Sequence, residues 1–440
     1  MAILFLERTA LPIIDDYHAV LAFVSELHSR RGLARVLAVI SFQHNDYKLI
    51  FEHAIIALQY GLSGHVNLGV LAALGNLFLL PIGLFYFPQF LPELSLERRL
   101  LLFLPISLLL YQLTYAELLD WTMSVLQNVA VVPFSLACLY FLTRNRSRSS
   151  FAWACVFGLL ACLTSVNGFL VALVGGVILI TRRWLPALLM WGLTFAVGAV
   201  GYLYHYTTLP HARPSLLSAL LFIPTFVGSA FETMHRRPIP FAAFFIGVFL
   251  LAVAIHAVRN SYYKRRPFVM AVVTWVVLTA VMVAFGRAAM GVNQSLSSRY
   301  KIYCALMLAF AYQYGAESCL ERQLLSEPAR RRLFAIILVV CTCFALAADA
   351  EGFIFLKKRR MLEYQGVAWY LQSPMRHSPD FPSPDPPSSA FDRTSEGVFA
   401  RTQLTSSLAD GDYHLPSKEV AKACAIFSCH SAAPGENNRH

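Results

Sequence analysis

Residues 267–285 read PFVMAVVTWVVLTAVMVAF, 19 residues without a charged side chain. A helix of that length rises about 28 Å, close to the roughly 30 Å hydrocarbon thickness of a bilayer. The strict alternation of a β-barrel strand is missing. In lipid, backbone polar groups must then be satisfied within the segment, so the stretch reads as a membrane-spanning helix. Working outward, apolar blocks recur at 65–87, 100–113, 124–142, 151–163, 168–181, 185–205, 239–258, 299–315 and 333–349, making ten spans in all. Several are shorter than a bilayer needs and are expected to extend into their flanks or to pair around loops buried in protein. Only 14% of the chain is charged, against about 25% in soluble domains, which argues against a soluble protein. The expected fold class is all-α, a polytopic transmembrane helix bundle.

The formal net charge is +11, which in a soluble chain raises the question of nucleic acid. Here the basic residues sit mostly between apolar blocks, where they read as anchors of membrane helices, and no nucleic-acid partner is expected. Arg98 and Arg99, then Arg144, Arg146 and Arg148, then Arg182 and Arg183, then Arg259 with Lys264 to Arg266, then Arg322 with Arg330 to Arg332, all fall on one side of ten spans. The positive-inside rule makes that side cytoplasmic. The segment 1–64, the loops 206–238 and 286–298, and the tail 350–440 then face outward, as in a multi-pass inner-membrane protein. Arg30, Arg31, Arg35 and the run Lys357 to Arg360 run against this bias, although long segments translocate despite charge.

Three domains follow: 1–64, an outer segment; 65–349, the bundle; 350–440, an extracytoplasmic linker and small tail. Met1 to Ile14 is too short to span and reads as the end of a longer first helix. The Pro-rich run from Pro374 to Pro387 reads as an extended linker, and 396–430 as a small packed piece. Cys424 and Cys429 within it are expected to be two free thiols rather than a disulfide. The cysteines at 138, 155, 162, 304, 341 and 343 read as small core residues.

Polar residues on the outer side carry the candidate chemistry. Asp15 and Asp16 are adjacent carboxylates ahead of Tyr17 and His18. Mutual repulsion raises one pKa, which suits a general base or a divalent-cation site; a helix cap for a segment from Tyr17 to Leu27 is the plainer reading. Gln43-His44-Asn45-Asp46-Tyr47-Lys48 precedes Glu52 and His53. With 46–60 helical, Lys48 and Glu52 share a face at i and i+4, and a plain interfacial helix competes with phosphate binding by His44 and Lys48. Gln112, Glu117, Asp120 and Trp121 form an acidic outer loop, either functional or simply wet. Arg299, Tyr300 and Lys301 open a span from the outer side, by snorkelling or by bidentate binding of a lipid phosphate. Asn167 and Gly168 read as turn chemistry.

Taken in order, Asp15-Asp16-Tyr17-His18, Gln43-His44-Asn45-Asp46-Tyr47-Lys48, Ser165-Val166-Asn167-Gly168 and Ser298-Arg299-Tyr300 resemble a bacterial branch of multi-span proteins related to the GT-C glycosyltransferases. The resemblance covers most of residues 11–315. It implies a polyprenyl-phosphate sugar as donor and an acidic residue of the first outer segment as base or metal ligand. Carried over, Asp15 or Asp16 is the base and Arg299 a phosphate ligand, with His18, His44, Asp46, Lys48, Glu117 and Tyr300 lining the same cavity. The branch has Glu-His-Arg after Gln-His-Asn; here Tyr47 replaces the second His, which puts any role of that imidazole in doubt. The expected function is transfer of a sugar to an envelope acceptor on the outer face. A transporter or flippase of lipid-linked saccharide needs the same cavity without a base, and a scaffold for envelope assembly needs neither.

Overall fold

Every apolar block quoted above forms a helix, because in each the backbone bonds close internally and the side chains are left to face lipid or one another. The computed structural model describes residues 10–13, 15–144, 146–208, 212–232, 240–321, 326–372 and 395–427. Among them, seven helical segments are long and apolar enough to cross a membrane: Leu68–Gln89, Leu96–Asp120, Thr122–Arg144, Leu185–Leu203, Phe241–Arg259, Pro267–Met290 and Glu327–Ala368. Three of the ten expected spans fall short of that standard. Arg148–Thr164 and Val166–Thr181 are too short. Ser298–Glu321 has the length but interrupts its apolar run with Arg299, Lys301 and Glu317.

Large apolar side chains stand exposed along these helices, among them Leu189, Val197, Phe245, Phe249, Ile336 and Val339, each at least 60% accessible. Exposure on that scale is costly in water and neutral in lipid, and it identifies a multi-pass membrane protein. Inside the bundle, small residues permit close helix crossings. Gly228 follows the short helix Leu216–Val227, and Gly247 lies within Phe241–Arg259. A Cβ on Gly247 would stand 1.7 Å from the Pro224 carbonyl oxygen, and one on Gly228 1.9 Å from that of Ala243.

Much of the arginine-rich side is held by hydrogen bonds. Arg182 donates to the carbonyls of Leu142 and Thr143 at 2.8 and 2.6 Å, closing the end of Val131–Arg144. Arg266 pairs with Glu317 at 3.1 Å and Glu93 at 2.8 Å, tying a loop to Ser298–Glu321.

At the opposite end the first segment forms a cap. Tyr17–Ala22 is wound as a π-helix and continues into Phe23–Ser29. Leu33–Ser41 follows, then a two-stranded hairpin, β1 Gln43–His44 and β2 Tyr47–Lys48, then Ile50–Ser63. Residues 46–60 are therefore not one helix, and Lys48 does not pair with Glu52. Instead Lys48 is fully buried and its ammonium donates to the Ser41 carbonyl at 2.5 Å. It caps the C-terminal end of Leu33–Ser41, where carbonyls lack partners and a cation is favoured.

The last helix runs unbroken from Glu327 to Gln372, so residue 350 marks no break in secondary structure. The tail contributes Ser395–Ala409 and Ser417–Phe427. It packs on the first segment: Val66 N–H donates to Asp412 O at 2.7 Å, Tyr413 Oη to Ala10 O at 2.8 Å, and Asp412 Oδ1 accepts from Tyr60 Oη at 2.7 Å. Cys424 is disulfide-bonded, against the expectation of free thiols. Cys343 is exposed rather than core. Met1 to Arg8, Pro374 to Pro387 and Cys429 lie outside the described residues.

Candidate functional site

Four chain segments converge where the first segment meets the bundle. The hairpin is pinned to the end of Leu185–Leu203: Gln43 Oε1 accepts from Thr207 N–H at 2.9 Å, and Tyr206 Oη donates to Asp46 O at 3.1 Å. It is pinned to Pro267–Arg287 as well, since Arg287 donates to Tyr47 Oη and lies 5.6 Å from that ring's centroid. The third side is the start of Ser298–Glu321, where the Arg299 Nε donates to Ser297 Oγ at 3.1 Å. The fourth is the turn Ser165 to Gly168. A Cβ on Gly168 would stand 2.1 Å from Ala161 O, so this turn closes only on glycine. It delivers Asn167, whose Nδ2 donates to Tyr303 Oη at 2.6 Å and whose carbonyl accepts from Trp275 Nε1 at 3.0 Å.

Between these segments lies a cleft of about 300 Å³, lined by Asp46, Tyr47, Tyr202, Tyr206, Arg287 and Tyr300. A deeper recess of about 50 Å³ adjoins it, lined by Asn128, Ser165, Asn167, Arg299 and Tyr303. Tyr47, Val166, Met282, Val283 and Tyr300 line both. One arginine thus lines each of two adjoining spaces that share an apolar flank and two tyrosines. The Asn167 Oδ1 is buried there without a hydrogen-bond partner; an orphan acceptor of this kind is costly unless a ligand or water donates to it.

No family model, curated protein or solved structure matches this chain.

The hairpin connects the cleft to the carboxylates. Tyr47 is the register partner of His44, and paired residues lie about 5 Å apart. The His44 Nε2 lies 3.4 Å from Asp15 Oδ1 and its Nδ1 lies 2.8 Å from His18 Nδ1. One hydrogen occupies the gap between those two ring nitrogens, so one imidazole donates and the other accepts. Burial holds the His18 pKa below the usual imidazole value, and His44 adds to the effect. Asp15 keeps a side chain 31% accessible.

Asp16 does not stand beside it as a second free carboxylate. It is fully buried, with Oδ1 accepting from Met123 N–H at 2.8 Å and Oδ2 from Ile13 N–H at 3.2 Å. It makes no helix cap through its side chain. Burial raises its pKa to about 7, against the lowering effect of those two hydrogen bonds. Glu52, 1% accessible and with both oxygens unpartnered, is raised well above its ordinary value by burial and then by Asp16 and Asp15. Because Asp15 and Asp16 engage different partners, they do not assemble a shared cation site. Among the described residues, no group of three or more His, Cys, Asp and Glu is arranged to hold a metal ion.

The structure thus brings Asp46 and Tyr300 to the cleft, Arg299 to the recess beside it, and Asp15, His18 and His44 to the margin. Lys48 is spent on a helix end. Asp120 is 6% accessible and lies 4.0 Å from Arg359, and Glu117 is half-buried in Ala116–Asp120, so this is not an open acidic loop. Lys301 is 7% accessible and faces Glu351 and Glu117, so it does not snorkel. Asn167, which the sequence offers as turn chemistry, and Tyr47, which it offers only as the replacement of an imidazole, both line the recess, and Tyr202 and Tyr206 carry no sequence signal of their role. A polar residue between two short apolar blocks was the available signal for Asn167.

Proposed function

We propose that the chain is a membrane glycosyltransferase that moves a sugar from a polyprenyl-phosphate donor to an acceptor hydroxyl at the end of the bundle opposite the arginine-rich loops, the outer face. The supporting observation is the cleft itself: Arg287 and Arg299 line adjoining spaces that share an apolar wall and two tyrosines, one hairpin away from the accessible carboxylate of Asp15. Arginine suits phosphate oxygens, which it grips bidentately. The apolar wall suits a lipid chain, and tyrosines and Asn167 suit sugar hydroxyls.

In this reading Asp15 takes the proton of the acceptor hydroxyl while its oxygen attacks the anomeric carbon. The bond from that carbon to the donor phosphate breaks, and the lipid phosphate leaves as an anion stabilised by the two guanidiniums. Asp16, tied to two backbone amides, holds the first segment in place and is not the base.

Binding tests the reading. The wild-type protein in detergent is expected to bind fluorescent polyprenyl phosphate, and Arg287→Gln with Arg299→Gln to weaken binding at least about tenfold, since charge-assisted hydrogen bonds contribute about 1.5–3 kcal/mol each. Equal binding by both proteins contradicts the assignment. Movement of an intact sugar-linked lipid across a vesicle bilayer, with no transfer, assigns the cleft to a flippase instead.

A further inference from the structure

The cleft is not the only surface on the first segment that calls for a partner. The helix Leu33–Ser41 carries Leu33, Val36, Leu37 and Ile40 at i, i+3, i+4 and i+7, the spacing of one helical face. That face is turned outward: Leu33 is 72%, Val36 56% and Leu37 38% accessible. The opposite face is the packed one, with Ala38 buried and Val39 against the core. The helix contains no acidic residue. It is preceded by Arg30, which pairs with Glu26, and by the exposed Arg31, and contains the exposed Arg35; the tail carboxylates Asp410 and Asp412 lie behind it, around Tyr60. Arg35 is held toward the helix start by the carbonyls of Leu27 and Arg30, at 3.1 and 2.8 Å. An apolar stripe rimmed by fixed positive charge has the composition of a helix lying in a membrane interface.

We propose that Leu33–Ser41 is an in-plane membrane anchor. Its apolar stripe enters the leaflet at the cleft end of the bundle, and its arginines bind anionic phospholipid headgroups. Charge complementarity selects the lipid over a second copy of the chain, since two copies of this face would set like charges against each other. The anchor is coupled to the cleft. Lys48 fastens the C-terminal end of the helix to β2, and the same hairpin presents Asp46 and Tyr47. The depth of the helix in the leaflet thereby sets the height of the hairpin relative to the headgroups. The proposal stands without the transferase reading, because its test measures no activity.

The test is hydrogen exchange, followed by mass spectrometry, on the full chain in nanodiscs of phosphatidylcholine with and without phosphatidylglycerol. Amides of 33–41 are expected to exchange more slowly in the anionic discs. A cation near an anionic surface contributes about a fivefold change in partition, so Arg31→Gln reduces the effect by about that factor. Leu33→Glu with Leu37→Glu abolishes it, while unchanged protection of Pro267–Arg287 shows that the bundle remains folded. Equal exchange in the two wild-type discs overturns the proposal. So does protection that appears only in discs holding two copies, which would make the second chain the occupant.

Discussion

Asp15 and Asp16 differ by one position and by everything around them. Their adjacency was visible in the sequence, and so was the expectation that one pKa is raised. Which one is raised was not visible. It depends on burial, which is complete at Asp16 and overrides the opposing hydrogen bond from the amide of Met123, 107 residues away. The same burial separates their expected phenotypes. Asp15→Asn should lower transfer about a hundred- to ten-thousandfold, the usual contribution of a positioned base, with thermal stability unchanged. Asp16 should instead control stability against pH. Its carboxyl binds protons more tightly when folded, with a pKa of about 7 against an unfolded value of 3.8. Between those values the folded state holds the extra proton, so stability falls as pH rises, by at most about 1.4 kcal/mol per unit, and levels off above about 7. Glu52 acts in the same direction. Unfolding midpoints in detergent should therefore rise from pH 8 to pH 5.5, and Asp16→Asn should flatten the slope.

Among elements, the long apolar helices were readable because a span is dictated by length and hydropathy alone, and all ten blocks are helical. The hairpin was not readable. Gln43 to Lys48 is too short to read as a strand pair, and the helix expected over 46–60 takes in its second half, Asp46 to Lys48. Its one local signal is Asn45-Asp46, with Asn45 in the left-handed region at φ 49°, as tight hairpin turns favour. Lys48 was misread for a related reason: a lysine in a polar cluster advertises a ligand, whereas the carbonyl it serves is seven residues back. Lys48→Met should cost about 1.5–3 kcal/mol through loss of that charged hydrogen bond, measured as a lower unfolding midpoint, and should weaken lipid-phosphate binding by loosening Tyr47. A sharper effect is expected at Gly247, where a side chain meets the backbone of Pro224. Gly247→Val should exceed the usual overpacking cost of about 3 kcal/mol and be seen as loss of the monodisperse peak in size-exclusion chromatography.

At the scale of the molecule, a lipid-facing bundle bears a cap built from both termini of the described chain. The first segment supplies Asp15, His18 and the hairpin. The tail locks that segment through Asp412 and Tyr413, each 1% accessible, and is itself tied to the last helix by Tyr364, which donates to Glu419 at 2.7 Å. Hydropathy marks the bundle, but no periodicity marks this long-range closure, because its contacts are single hydrogen bonds between segments hundreds of residues apart. The cleft, likewise, draws one or two residues from each of several elements. We propose that this cleft and Asp15 together transfer sugar from a lipid phosphate. The most direct measurement incubates the purified protein, reconstituted in lipid, with radiolabelled polyprenyl-phosphate sugars and follows label released from the lipid. Release by the wild-type protein that is lost in Asp15→Asn, with the variant still folded, is the predicted result. Release undiminished in Asp15→Asn, or none from the folded wild-type protein with any donor of the panel, would contradict it.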